Sequence, residues 1–211
     1  LISQTSPQEI VNLMGRGLNM GNVLSAPTEG NWAYAVYEDY FIQLSEAGFT
    51  NVRIPVDFYS GGFLNSDYTI NGSQRSSVNI DDCANNSCFS SNPNTASNYN
   101  GSVEDYMVNE EYLDRVQQIV DWAITYNIVV VLDFHGNNLK QQFIYTFQNE
   151  EINGVNYYTS PTSAKRLADI NRFKAIWRDI ANRFKDYSTS SLVFDLINEP
   201  YFSVSADEMN D

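Results

Sequence analysis

The sequence is poor in basic residues, with 12 Lys and Arg against 26 Asp and Glu, which gives a net charge of −14 at pH 7. Nucleic acids and anionic membranes are bound through clustered Lys and Arg, so this composition argues against both as partners. No apolar stretch approaches the roughly 18 residues of a membrane-spanning helix. The N-terminus also lacks the basic segment and apolar run of a signal peptide, so we expect that a leader was removed or never present.

Cysteine and histidine are scarce as well. Cys83 and Cys88 lie in a segment rich in Asn and Ser, and the single histidine, His135, is distant from them in sequence. Two cysteines are too few for a zinc site, and we expect neither a metal ion nor another cofactor. A short local disulfide, and with it a secreted or extracytoplasmic location, is favoured over a reduced pair of cysteines.

Two ligand-binding motifs are present only in incomplete form. The glycines within residues 15–22 have neither dinucleotide-binding nor P-loop spacing, so a phosphate loop is rejected. The segment that begins at Asp67 hints at a calcium loop, but Thr69 and Val78 stand at its third and twelfth positions, where that loop needs oxygen ligands. Neither motif therefore supports a function.

Apolar residues at helical spacing, capping signals and continuous apolar runs indicate regular structure. Ser6 and Glu9 form a capping box around Pro7, which predicts a short helix to about Met14. Apolar periodicity predicts further helices within 34–47, 112–124 and 167–184, and strands are predicted within 15–22, 51–56, 128–135 and 192–200. Residues 60–108 interrupt this alternation of predicted helices and strands, and we interpret them as an irregular insertion.

Strands alternate with helices along the chain, which is typical of an α/β fold with a parallel sheet. Polar residues follow the predicted strands: Asn19, Arg53, His135, Asn198 and Glu199. The carboxyl ends of parallel strands lie at one edge of the sheet, where α/β proteins build their active sites. Taken singly, each of these residues is more often structural, but together they predict a site at that edge.

Four segments occur in a distinctive order along the chain: Asn19-Met20-Gly21-Asn22, Arg53-Ile54-Pro55, Leu132-Asp133-Phe134-His135 and Asn198-Glu199-Pro200. In this order and context they resemble glycoside hydrolase family 5, which includes cellulases and β-mannanases. Residues 112–135 are also similar to the second helix and third strand of that family. The resemblance implies a (β/α)8 barrel and hydrolysis with retention of configuration.

The resemblance also implies roles for single residues. Glu199 corresponds to the general acid/base, which protonates the glycosidic oxygen as it leaves. Asn198 corresponds to the residue that hydrogen-bonds the 2-hydroxyl of the sugar, Arg53 to the residue that orients the carboxylates, and His135 to a contact of the sugar at the cleavage subsite. Asn19 and Trp32 are weaker candidates for lining that subsite. Asp133 and Asp195 are either inward-facing groups beneath the site or buried structural partners.

The expected architecture is a half-barrel. We expect one domain over residues 1–211, with four parallel strands, three or four helices and the insertion at about 60–108. The family's second carboxylate, the nucleophile, belongs to a later strand that has no counterpart here. The first and fourth strands would leave apolar edges unpaired, so a missing C-terminal half or a second copy of the chain, in a homodimer, is expected to complete the barrel.

Three functions are compatible with these observations. The first is hydrolysis of a β-1,4-linked polysaccharide by an endoglucanase-like enzyme, with β-1,4-glucan as the preferred substrate and mannan, xyloglucan and mixed-linkage glucan as alternatives. The second is a non-catalytic or vestigial half-barrel that binds glycans. The third is an α/β scaffold that keeps the motifs without their function.

Overall fold

A computed structural model describes residues 5–26, 29–57, 69–70, 73–74, 76–78, 103–108, 110–136, 151–152, 155–156 and 164–199. The helices are α1 (Pro7–Met14), α2 (Glu38–Glu46), α3 (Glu110–Thr125) and α4 (Ala164–Phe184), and a 3-10 turn covers Val103–Asp105. The strands are β1 (Gly17–Asn19), β2 (Asn51–Val56), β3 (Thr69–Ile70), β4 (Ser73–Gln74), β5 (Ser76–Val78), β6 (Tyr106–Val108), β7 (Val129–Phe134), β8 (Glu151–Ile152), β9 (Val155–Asn156) and β10 (Leu192–Asp195).

The main sheet contains four parallel strands in the order β1-β2-β7-β10. This order confirms the predicted parallel sheet, because each strand lies beside the next one of the four along the chain. The register aligns Asn19 with Arg53 and Pro55 with Asp133, and Asp133 in turn with Asp195. Polar residues of different strands therefore stand side by side near one end of the sheet.

The two faces of the sheet differ in polarity, because side chains alternate between faces along each strand. One face carries Val52, Ile54, Val130 and Leu132, which are fully buried against the helices. Truncating such a residue to alanine costs about 2–5 kcal/mol, since the surroundings do not collapse fully into the space. The opposite face carries Arg53 and the residues that align with it, and this face bears the polar groups.

Helix α1 lies at the amino-terminal end of the strands, opposite the polar edge. Its capping box is complete: the Glu9 amide donates to Ser6 Oγ over 3.3 Å, and Glu9 Oε2 accepts from the Ser6 amide over 2.8 Å. At its last turn, the carbonyl of Met14 accepts hydrogen bonds from the side chains of Thr50, over 2.7 Å, and Asn51. These bonds attach α1 to the start of β2.

Helices α3 and α4 pack against each other and against the apolar face of the sheet. The Phe134 and Phe173 rings lie 5.8 Å apart, and Ile176 and Ile180 join the same buried cluster. Arg183 of α4 forms ion pairs with Glu110 and Asp114 of α3, and these ion pairs connect the two helices at the protein surface. None of the described helices is long and apolar enough to cross a membrane.

Helix α2 begins at Glu38, four residues after the start of the predicted segment. The preceding residues are held in an extended path, because the Val36 amide donates to Glu29 Oε1 over 2.9 Å and its carbonyl accepts from Arg115 Nη2 over 2.6 Å. Arg115 also forms an ion pair with Glu29 at 2.7 Å. Helical periodicity in the sequence extended past this point, but these long-range contacts set the start of the helix.

The insertion at 60–108 contains more regular structure than its composition indicated. Strands β3 and β4 pair antiparallel, as do β5 and β6, so the described parts of this segment contain short regular elements. Its last residues lie on α4: the Val108 amide donates to Asp179 Oδ2 over 2.9 Å, and Arg178 Nη1 donates to the Val103 carbonyl over 2.7 Å. Cys83 and Cys88 lie outside the described residues, so the expected disulfide remains a prediction.

The last strand differs from its predicted form. The apolar run at 192–200 predicted a strand buried on both faces, whereas β10 ends at Asp195, and Phe194 and Leu196 are 39% and 56% exposed. The reason is its place in the sheet: β10 pairs with β7 on one side and is an edge strand in the part of the chain that the structure describes.

Candidate functional site

The hydrogen-bond ladder of the sheet continues past the carboxyl ends of the strands and holds the candidate residues in register. The Met20 amide donates to the Arg53 carbonyl over 2.9 Å, and the His135 amide donates to the Val56 carbonyl over 2.8 Å. The Asn198 amide donates to the Phe134 carbonyl over 3.0 Å. Residues that follow three different strands are thereby fixed at one edge, as the sequence predicted.

Arg53 lies at the centre of this edge. Its Nη1 donates to Asn19 Oδ1 over 3.3 Å, and its Nη2 donates to Asn198 Oδ1 over 2.8 Å and to Asp195 Oδ2 over 3.2 Å. The same Nη2 lies 2.9 Å from Asp133 Oδ2. Because Nη2 has only two hydrogens, the contact with Asp133 is an ion pair beside the two hydrogen bonds.

Asp133 is the most deeply buried member of this group, with a fully buried side chain. Its Oδ2 also lies 2.9 Å from Nδ1 of His135, whose side chain is 23% exposed. An isolated buried carboxylate is strongly unfavourable, so the two cationic or donor groups at Oδ2 are what make the burial of Asp133 tolerable. Arg53, Asp133 and His135 therefore form one connected unit.

Arg53 faces two carboxylates at once. Asp133 lies on the central strand β7, and Asp195, which is 38% exposed, lies on the edge strand β10. The guanidinium is planar and carries donors in a fixed fork, so it can hold two carboxylates and two side-chain amides in one arrangement. With one cation and two anions, this group adds negative charge to the carboxyl edge of the sheet.

Glu199 follows Asn198 directly, and its side chain is exposed at the same edge. Its backbone φ is +44°, in the left-handed region that residues with a side chain seldom adopt. The following residue is Pro200, which disfavours most conformations other than extended ones at the position before it. Strained backbone of this kind concentrates at functional sites, because there a side chain must point in one direction.

Gly136 turns the chain away directly after His135. Its φ is +53°, and a Cβ atom at this position would lie 2.9 Å from the ring of Phe134. A larger residue would therefore push against a ring of the core. Glycine permits the close turn that leaves the His135 side chain at the edge of the sheet.

Trp32 lies in the loop between β1 and α2, and its ring is 53% exposed. Among the described residues, no hydrogen bond or ring contact joins Trp32 to the cluster around Arg53. The structure thus brings Asn19, Arg53, His135 and Asn198 together, with Glu199 next in sequence, and leaves Trp32 apart from them.

Sequence reasoning named Asp133 and Asp195 without deciding their role. The signal was present, because each lies in an apolar strand and an acid in such a place needs a partner. What the sequence could not show is that both carboxylates contact the same guanidinium. Among the described residues, no three His, Cys, Asp or Glu side chains are grouped so as to hold a metal ion, and the cation that these acids face is Arg53.

A parallel sheet with helices on one face, and with polar side chains at its carboxyl edge, is the arrangement of the (β/α) barrel proteins, whose active sites lie at that edge. The family model of cellulases of glycosyl hydrolase family 5 matches residues 89–211, which is more than half of the chain. The chain therefore belongs to glycoside hydrolase family 5, as the sequence motifs indicated.

Individual relatives agree with this assignment. Endoglucanase H of Acetivibrio thermocellus is 28% identical over 205 residues, which are 97% of this chain and 16% of that protein. A trimodular family 5 (subfamily 4) endo-β-1,4-glucanase of Bacillus licheniformis, solved with cellotetraose, superposes with a TM-score of 0.60 at 25% identity over 98% of this chain and 30% of that one. Cel5A of Thermotoga maritima, solved with cellobiose, shares the fold, with a TM-score of 0.59 at 23% identity over 97% of this chain and 47% of that one.

The chain thus spans less than half of the length of each of these proteins. The four parallel strands of the main sheet and the four helices that the structure describes correspond to half of a (β/α)8 barrel, which confirms the predicted fold class.

Proposed function

We propose that this chain carries the acid/base half of an endo-β-1,4-glucanase-type active site, with Glu199 as the general acid/base. The observation that supports this most directly is the cluster in which Arg53 binds Asn198, the residue before Glu199, over 2.8 Å. The positive φ of Glu199 agrees with a side chain that is held in one direction for chemistry. Family membership supplies the reaction class.

Glu199 would protonate the glycosidic oxygen as the bond to the leaving sugar breaks, and would then take a proton from the attacking water. Asn198 is oriented for sugar binding, because its Oδ1 accepts from Arg53 and its amide nitrogen is then the group that donates. His135 and Asn19 would contact the same sugar, and Trp32 would stack on a sugar ring farther along the cleft.

The second carboxylate would come from the other half of the barrel. A retaining hydrolase needs its two carboxyl groups about 5–5.5 Å apart, whereas an inverting one needs about 6.5–9.5 Å. Asp133 and Asp195 do not fit the role of nucleophile, because both are engaged with Arg53. A carboxylate opposite Glu199, on a strand that closes the barrel, fits the proposal better.

The proposed substrate is a β-1,4-linked glucan. The relatives that match this chain are named endoglucanases, and one structural neighbour was solved with cellotetraose. A net charge of −14 suits a neutral polysaccharide, since no anionic groups on the substrate would be repelled. A polymer of this kind is degraded outside the cytoplasm, so the proposal includes a secreted or extracytoplasmic location.

For the chain of 211 residues on its own, which we treat as a single domain, the proposal is that a second copy completes the barrel. It is supported by the two edge strands of the described sheet, β1 and β10: Leu18 and Phe194 in these strands are 40% and 39% exposed, and Leu196, directly after β10, is 56% exposed. Apolar edge strands favour pairing with another chain. Light scattering at micromolar concentration should give the mass of a dimer, and a monomeric mass would contradict this part of the proposal.

Hydrolysis of hydroxyethyl-cellulose, a soluble and uncharged derivative, followed by the release of reducing ends, tests the proposed activity. Glu199→Gln keeps the shape of the side chain and removes the proton donor, so it should abolish release. Glu46→Gln makes the same chemical change at an exposed position at the end of α2, and it should leave release unchanged. If Glu199→Gln still releases reducing ends, the acid/base assignment is contradicted. If the unmodified chain binds oligosaccharides but releases no reducing ends, a glycan-binding half-barrel is favoured.

A further inference from the structure

Asp133 touches His135 through one specific pair of atoms. Oδ2 of Asp133 lies 2.9 Å from Nδ1 of His135, and the carboxylate is fully buried while the imidazole is 23% exposed. Arg53 Nη2 lies 2.9 Å from the same oxygen. The other oxygen, Oδ1, is buried and has no hydrogen-bond partner among the described residues. The interactions of this carboxylate are therefore concentrated on the oxygen that faces His135.

The pairing determines which ring nitrogen of His135 carries the hydrogen. A carboxylate oxygen that faces a guanidinium accepts hydrogen bonds, so Nδ1 of the imidazole must be the donor. In a neutral imidazole with its hydrogen on Nδ1, the opposite nitrogen, Nε2, has a lone pair and accepts. The hydrogen-bond partner of Nδ1 thus determines whether Nε2 donates a hydrogen bond to a ligand or accepts one from it.

We propose that Asp133 is a positioning residue that holds His135 as the Nδ1–H tautomer, so that Nε2 accepts a hydrogen bond from a sugar hydroxyl. This inference rests on the proposed function for the identity of the ligand, whereas the tautomer itself follows from the geometry alone. Asp133 does not touch the substrate in this account. It acts through the ring of His135, and its contact with Arg53 keeps the carboxylate in place.

Asp195 offers a matched comparison. It lies beside Asp133 in the register of β10 and β7, and it also contacts Nη2 of Arg53, at 3.2 Å. Among the described residues, however, no hydrogen bond or ion pair joins it to His135. Asp195→Leu therefore removes one carboxylate from the same guanidinium without changing the partner of the imidazole.

The test is a nitrogen NMR spectrum of the chain labelled with ¹⁵N-histidine, recorded at a pH where the ring is neutral. His135 is the only histidine, so one pair of ring signals reports on it without assignment. We expect a protonated Nδ1 and an unprotonated Nε2 in the unmodified chain and in Asp195→Leu. Asp133→Leu leaves no acceptor beside Nδ1, whereas asparagine would keep one, so in Asp133→Leu the hydrogen is no longer held on Nδ1 and signal should appear for the Nε2–H tautomer.

An Nε2–H tautomer in the unmodified chain would overturn the proposal, as would an unchanged spectrum in folded Asp133→Leu. The spectrum of the unmodified chain decides the matter even if that variant does not fold. Where hydrolysis is measurable, Asp133→Leu should also raise KM by about tenfold, the value of one hydrogen bond to the sugar. The predicted tautomer in a chain without hydrolysis would support this inference and count against the proposed function instead.

Discussion

Arg53 Nη2 donates a hydrogen bond to Asn198 Oδ1 across 2.8 Å, although the two residues are 145 positions apart in sequence. The same nitrogen contacts Asp133 on the central strand, so one guanidinium connects the carboxyl ends of β2, β7 and β10. This arrangement fixes the residue that precedes Glu199. The position of Glu199 therefore depends on Arg53, and Arg53 is itself held by the carboxylates of Asp133 and Asp195.

Removing the cation should destabilise the fold more than removing an exposed arginine. Arg53→Met leaves the buried carboxylate of Asp133 without a counter-charge, and we expect a loss of about 3–5 kcal/mol in the free energy of unfolding, measured by urea denaturation. Arg16→Met is the control, because Arg16 is exposed and stacks 4.2 Å from the Phe49 ring, a contact of about 0.5–1 kcal/mol.

The double variant Arg53→Met with Asp133→Asn separates the ion pair from other effects. Once Arg53 is absent, neutralising Asp133 should cost far less than it does in the unmodified chain, because the buried charge disappears together with its partner. Equal costs in the two backgrounds, or a loss for Arg53→Met no larger than that for Arg16→Met, would mean that Arg53 does not stabilise Asp133.

The capping box of α1 should make stability depend on pH. The hydrogen bond from the Ser6 side chain, followed by that from the Ser6 amide, lowers the pKa of Glu9 below its ordinary value. A carboxylate whose pKa is lower in the folded chain stabilises the fold above its unfolded pKa, and this contribution is lost as the pH falls through the folded pKa.

Ser6→Ala should therefore cost about 0.5–2 kcal/mol at neutral pH, the usual range for an N-cap residue. Below the folded pKa of Glu9 the difference from the unmodified chain should be smaller, because the protonated carboxyl group accepts hydrogen bonds more weakly. Ser6→Thr keeps the capping oxygen and serves as the control. A difference that grows on acidification would contradict the role of the box.

Trp32 should report on sugar binding by its fluorescence. It is 53% exposed, whereas the other two tryptophans, Trp122 and Trp177, are partly buried on the helices. Stacking of a sugar ring on Trp32 should change the emission during a titration with cellotetraose, and Trp32→Phe should remove that change. Trp122→Phe should leave it in place. A signal that persists in Trp32→Phe would exclude Trp32 from the cleft.

Much of the half-barrel is evident from the sequence, because apolar periodicity and the order of elements are local signals. The strand at Asn51–Val56 matches its prediction at both ends, and α1 ends at Met14 as its capping pattern indicated. The start of α2 was wrong by four residues, since it is set by Glu29 and Arg115, which are distant in sequence.

The site was predictable to a similar degree. Polar residues after apolar strands indicated the carboxyl edge, and the register then brought Asn19, Arg53, His135 and Asn198 together. The sharing of Arg53 between Asp133 and Asp195 was not predictable, because it depends on side-chain directions on three strands. The exposure of β10 was missed for a related reason: an apolar run does not reveal whether a strand lies at an edge.

The role of Glu199 as a general acid/base is tested most directly with two aryl cellobiosides that differ in their leaving group. Dinitrophenolate leaves without a proton, whereas a poor leaving group needs one. Measured as kcat/KM, which reports the step that breaks the glycosidic bond, Glu199→Gln should slow the poor leaving group by about 10²–10⁴-fold, with a much smaller effect on release of dinitrophenolate. Equal losses for both substrates would contradict the account, because they would mean that Glu199 supports the site without donating a proton.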